Sequence, residues 1–134
     1  MGSFANYLEL KLFDHLVGKT AYTMPTAYVG LSTADPLDDA SGLAEPSGSG
    51  YARVATVGAD WNAAVGGGNS NAQDITFPQA SGDWGTLTHF AVFDAASGGN
   101  MLFHGSLTSS KHIESGETAK FAGGTPGTLV STLD

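Results

Sequence analysis

The chain has 134 residues, 41% of them hydrophobic, with 19 glycines, no cysteine and 13% charged residues. That length suits one domain with a real core, and the hydrophobic content argues against a disordered chain. A formal net charge of -8, with only 5 Lys and Arg, argues against binding nucleic acid or an anionic membrane surface.

Without cysteine there is neither a disulfide nor a thiolate metal site. High glycine and low charge fit many short strands joined by Gly, Ser, Asn and Asp turns better than long charged helices. Glu9, Lys11 and Asp14 interrupt any apolar stretch near the start, so no signal peptide is expected, and no run reaches the length of a membrane span.

The spacing predicts one helix, from Ser3 to Val17. Phe4, Leu8, Leu12 and Leu16 recur every four residues, with Tyr7, Leu10, Phe13 and Val17 beside them. Ser3 is the expected N-cap and Gly18 the residue just past the C-terminus. The apolar stripe is wide enough for a helix pressed between its own sheet and a neighbouring subunit. Burial on its own domain is the simpler expectation.

Thr26 to Thr33 reads as a strand with Ala27, Val29 and Leu31 on one face, and Asp35-Pro36 breaks it. Residues 35–50 form a long polar loop. Tyr51 to Val57 alternates as a second strand, Trp61 follows in a turn, and 64–71 reads as a Gly/Asn/Ser loop. Ile75 to Phe77 is a short strand stopped by Pro78.

Thr86 to Phe93 and Met101 to Leu107 flank Asp94-Ala-Ala-Ser-Gly-Gly-Asn100 and read as a hairpin. Phe90, Val92, Phe93, Met101, Leu102 and Phe103 crowd both of its faces, so it is expected at the centre of a sheet covered on both sides. Glu117 to Phe121 and Thr128 to Leu133 close the chain as two strands joined by a Gly-rich turn. The expected architecture is a mainly β, antiparallel sandwich or jelly-roll-like sheet with one N-terminal helix. It forms a single domain over residues 1–134, with the helix at about 3–17 and the β-region at about 26–133.

Signals for chemistry are sparse. Gly18-Lys19-Thr20 resembles the end of a phosphate-binding loop, but Phe13 stands where that motif needs glycine, and a helix precedes it. No Gly-x-Ser-x-Gly elbow occurs, and no histidine sits in a recognisable partner motif for a serine. His89 and His104 lie on the two hairpin arms, but a third metal ligand is not evident. Asp35, Asp38, Asp39 and Glu45 offer oxygens for calcium, yet their spacing matches no calcium loop. Trp61 and Trp84 have the faces to stack a sugar, although a core or interface anchor is the commoner use. No catalytic residue, cofactor or metal is expected. Tyr7, Phe13, Trp61, Trp84, His89 and His104 are the candidate interface residues.

Several stretches together resemble a known family. They are the opening run from Phe4 to Thr20, Tyr28-Val-Gly-Leu-Ser-Thr-Ala-Asp-Pro36, Gly50-Tyr-Ala-Arg-Val54 and Ile75-Thr-Phe-Pro78. Most characteristic is Trp84-Gly-Thr-Leu-Thr-His-Phe-Ala-Val-Phe-Asp94 followed by Gly98-Gly-Asn-Met-Leu102. Their order is similar to that of small tailed-bacteriophage virion proteins, labelled tail-fibre-like or minor structural proteins. The resemblance implies a non-enzymatic virion component, assembled in the host bacterial cytoplasm. The size suggests a capsid decoration, or cement, protein that stabilises the head through contacts between subunits. The alternative is a tail-fibre or tail-tip protein contacting host carbohydrate, and a small hydrolase or metal enzyme is the alternative of another class. Expected partners are further copies of the chain, with a trimer as one candidate, and the major capsid protein or tail proteins.

Overall fold

The computed structural model describes residues 2–132. In chain order the elements are β1 (Gly2–Phe4), α1 (Asn6–Leu16), β2 (Tyr28–Ser32) and β3 (Val54–Ala55), then a 3-10 turn at Gly58–Asp60. They continue with β4 (Gly68–Ser70), β5 (Ile75–Thr76), β6 (Gly85–Phe93), β7 (Met101–Ile113), β8 (Lys120–Phe121) and β9 (Val130–Thr132). The fold is mainly β and antiparallel. Five strands form the main sheet in the order β1-β7-β6-β2-β3, and β4·β9 and β5·β8 form two ribbons.

The expected hairpin is the centre of this sheet. Its turn closes through Asp94, whose N–H donates to the Asn100 carbonyl at 3.0 Å while its carboxylate accepts from the Asn100 N–H at 2.7 Å. Gly98 and Gly99 both take positive φ there, which residues with a side chain adopt at a cost. Side chains alternate across β6. Leu87, Phe90 and Val92 join Val29, Leu31 and Ile113 in the larger core, which Ile75, Phe77, Phe121 and Leu129 cover from the other side. Phe121 meets both Phe77 and Phe90 edge-on, with centroids 6.2 and 6.3 Å apart. Ala91, Phe93 and Met101 face the other way, against Ala5 and the loop residues Ala40 and Leu43. The sheet is covered on both faces, as its aromatic content requires.

Several local expectations are corrected by pairing over long distances. Ser3 is not the helix cap. Residues 2–4 pair with Gly105, His104 and Phe103 of β7, so the helix starts at Asn6 after an extended Ala5. Gly18 does follow the helix end, at φ +77. The strand expected over Tyr51 to Val57 shrinks to Val54–Ala55; the Tyr51 N–H is taken by a turn, donating to the Gly48 carbonyl at 3.0 Å. The region 64–71, expected as loop, contains β4. The last two strands do not pair with each other: β8 pairs with β5, and β9 pairs with β4. Leu133, the expected end of the last strand, lies outside the described residues. β7 runs on to Ile113, well past the expected end at Leu107.

Candidate assembly interface

Two anchors fix α1 to the edge of the sheet. The Ala5 N–H donates to the Leu102 carbonyl at 2.8 Å, and the Asn6 N–H donates to the Asp38 carbonyl at 2.9 Å. The helix then turns two apolar faces in opposite directions. Ala5, Leu8 and Leu12, at spacings of three and four, face the body of the molecule, and within the helix only Leu8 is buried. Leu10, Phe13 and Val17 share the same spacing on the opposite side, with Leu16 near them. These four remain 67–76% exposed. Glu9 and Asp14 flank this outer stripe, and the Lys11 ammonium sits 5.5 Å above the Tyr7 ring. The helix is thus not buried on its own domain. The reason is geometric: a helix laid on one sheet edge can hide one side, and this sequence made two sides apolar. Contiguous exposed apolar surface of this kind marks a contact site.

The other candidate residues fall elsewhere. Trp84 is a core residue, 4% exposed, its Nε1–H donating to the Ser49 carbonyl at 2.8 Å and its ring edge-on to Tyr51. Trp61 is half-buried, edge-on to Phe103, and its Nε1–H donates to Thr56 Oγ1 at 3.0 Å. Trp84 therefore has no open face for a sugar ring. His89 lies opposite Ser106 and meets Thr88, whereas His104 lies opposite Ala91, so the ladder does not set the two histidines against each other. Among the described residues no three His, Cys, Asp or Glu side chains form a metal-sized group. No helix among them is long and apolar enough to cross a membrane.

The long loop 35–50 is pinned to the sheet at two places. His104 is buried and lies 2.9 Å from Asp38 Oδ1; an ionised carboxylate only accepts, so Nε2–H donates. Further along, Glu45 receives Arg53 through two hydrogen bonds, Nη2 to Oε1 at 2.6 Å and Nε to Oε2 at 3.0 Å. Tyr51 donates to Glu45 Oε2 at 2.6 Å and accepts from the Leu31 N–H at 2.9 Å. Burial, then the bond to Glu45, push the Tyr51 hydroxyl well above its ordinary pKa. Arg53 also reaches the hairpin tip, donating to the carbonyls of Ala95 and Gly98 at 2.8 Å each, with its guanidinium 3.4 Å above the Phe93 ring. Gly30 lies beneath this cluster. A Cβ there would fall 2.9 Å from both Glu45 Oε2 and the Tyr51 hydroxyl. No spacing signal exposes this clamp in the sequence, because its partners are brought together by the fold of the loop.

Four exposed aspartates have lowered pKa values. Asp38 is held down first by the hydrogen bond from His104, and Asp39 by Ser41. The Gly123 N–H and then Lys120 lower Asp74; the Gly85 N–H and then His112 lower Asp83. A carboxylate with a depressed folded-state pKa contributes stability that is present above its ordinary value near 3.8 and is lost as pH falls through the lower folded value. The melting temperature should therefore fall as the buffer is taken from about pH 5 to pH 2. Asp38→Asn should flatten part of that fall in a calorimetric series, and an unchanged melting temperature across the range would contradict the assignment.

The fold is thus a covered antiparallel sheet carrying a helix with an outward apolar stripe. Residues 3–127 match the family described as Podophage GP4 fiber I protein gp80, and the chain belongs to that family. No curated protein matches it at a significant level. The family makes this a non-enzymatic structural protein of a bacteriophage fibre and a component of the virion, associated with tail proteins. The capsid-decoration expectation thereby gives way to its tail alternative. Size alone favoured the head, and size does not distinguish a small fibre subunit from a cement protein.

Proposed function

We propose that the protein is a fibre subunit that joins neighbouring copies of itself through the outer face of α1. The observation that carries this is the exposure of Leu10, Phe13 and Val17 on one face of a helix that is anchored at its start, with Leu16 exposed beside Phe13. A structural subunit must hold its place outside the cell, and burying large apolar side chains between copies supplies that adhesion at about 1.5–3 kcal/mol each. Phe13, at the middle of the stripe, is the expected anchor, because aromatic residues at the centre of an interface carry a disproportionate share of the affinity. Tyr7 belongs to the rim, where Lys11 covers its ring.

Sedimentation equilibrium tests this. The native chain should form a discrete oligomer whose size the same measurement gives. Phe13→Glu should lose about 2–4 kcal/mol of association per contact while keeping its circular dichroism spectrum, since Phe13 contributes little to the folded monomer. A native chain that stays monomeric at all concentrations would remove self-association from the reading.

A further inference from the structure

The rims of the α1 stripe bear on what the stripe can meet. At about 100° per residue, Glu9 and Asp14 fall on opposite sides of the line formed by Leu10, Phe13 and Val17. Lys11 is turned over the Tyr7 ring instead. The stripe is therefore apolar with an acidic rim on each side. Two such stripes packed on each other about a two-fold axis set acid against acid in either direction. Antiparallel helices bring each rim to its own copy, and parallel helices bring the Glu9 rim to the Asp14 rim. In a chain of net charge -8, like charge opposes that pairing.

Another surface carries the opposite charge. Of the chain's 5 Lys and Arg, Lys11 and Lys19 belong to the helix region, and Arg53 is locked against Glu45 with 6% of its side chain exposed. The remaining two, Lys111 of β7 and Lys120 of β8, line one hollow of about 430 Å³ together with Val130 of β9. Both lysines are exposed, and Val130 is 44% exposed. None of the described residues lining the hollow is acidic. Lys120 is loosely held, 3.6 Å from Asp74 on an exposed surface, where such a pair contributes little. The other large apolar side chains exposed outside α1 lack this setting. Leu37 lies among Asp35, Asp38 and Asp39, Val57 beside Asp60, and Met24 and Val65 in uncharged runs of chain.

The stripe and the lysine surface are separate parts of one subunit. The start of α1 is hydrogen-bonded at Leu102, and Lys111 lies further along the same strand by on the order of 25 Å. We propose that copies join head to tail, the α1 stripe of one seated on the Lys111, Lys120 and Val130 surface of the next. Phe13 packs on Val130, and Glu9 and Asp14 face the two lysines. Each contact leaves one stripe and one lysine surface free, so the assembly grows until it closes on itself. This rests on the self-association reading and names the surface that the stripe meets.

Two charge-reversed variants test it by sedimentation equilibrium at low salt: Glu9→Lys with Asp14→Lys, and Lys111→Glu with Lys120→Glu. Each alone should weaken association at least about tenfold. An equimolar mixture should return to within about threefold of the native affinity. In it the basic stripe of the first variant meets the acidic surface of the second, and the unchanged stripe of the second meets the unchanged lysines of the first. If the glutamate pair loses the native circular dichroism spectrum, Lys111→Gln with Lys120→Gln takes its place, with a smaller loss expected. Native association by the lysine variants, with Phe13→Glu still weakened, would overturn this contact while leaving the helix reading intact. A mixture that fails to recover would overturn it as well. Phe13→Glu that associates like the native chain would remove the helix reading, and this contact with it.

Discussion

Replacing Arg53 with Met is expected to cost about 3–5 kcal/mol of folding stability, because it strands a mostly buried carboxylate. The side chains of Arg53 and Glu45 are only 6% and 18% exposed. Removing the guanidinium leaves Glu45 with the Tyr51 hydroxyl as its side-chain donor and deprives the Ala95 and Gly98 carbonyls of theirs. The hairpin tip and the long loop, both held by this one side chain, should loosen together. For a chain of this size the melting temperature should drop by about 10–20 °C. Adding Glu45→Leu to Arg53→Met should restore part of the loss, since an apolar pair of similar volume leaves no unpaired charge. Denaturant melts of the single and double variants measure this directly. A loss below about 1 kcal/mol for Arg53→Met would show that the pair behaves as a solvent-screened surface bridge.

Asn71→Asp is expected to be nearly as damaging at neutral pH, for a different reason. Asn71 is fully buried where the strands of the two ribbons converge. Its Nδ2 donates to the carbonyls of Gln73, Phe121 and Ala122, and its Oδ1 accepts from the Leu129 N–H at 2.9 Å. At neutral pH no other polar side chain of that size can both give and accept here. Gly127 packs so tightly that an added Cβ would meet both the Asn71 carbonyl and its Oδ1. Aspartate preserves the shape and the bond from Leu129 but turns a carboxylate oxygen toward three carbonyls. The cost should be about 3 kcal/mol or more, combining lost donors with a buried charge. Burial and the facing carbonyls must raise the new carboxyl's pKa, so its penalty should shrink as pH falls and the protonated acid regains a donor. Stability of the variant relative to native should therefore improve between about pH 7 and pH 5. A deficit independent of pH over that range would mean that lost packing, rather than charge, sets the cost.

How much of this was legible in the sequence depends on the range of the interaction involved. The hairpin was readable because its signal is local: two aromatic, β-prone runs around a Gly-Gly turn. The end of the helix was readable for the same reason, Gly18 being suited to the positive φ that follows a last turn. Its start was not, because Ser3 makes a good cap until β7 offers Gly2–Phe4 a ladder. The ribbons were misread because their partners lie far apart in the chain, β4 meeting β9 and β5 meeting β8, and two-residue strands carry no periodicity of their own. The candidate interface was half visible. Phe13 and its apolar neighbours stood out, but only the docking of Ala5 and Leu8 decided which side of the helix remains outside. Trp84 and Trp61 could not be assigned in advance, since a core and an interface select the same residues.

By itself the sequence determined a β-rich, cysteine-free, acidic chain built on one central hairpin, with an N-terminal helix too apolar for solvent on one side alone. These follow from composition, turn chemistry and periodicity, which act within a few residues. The tertiary structure alone decided which helix face is exposed and how Arg53 joins the loop to the hairpin tip. Those outcomes depend on which distant backbone groups and charges reach one another, and that is fixed only when the sheet closes.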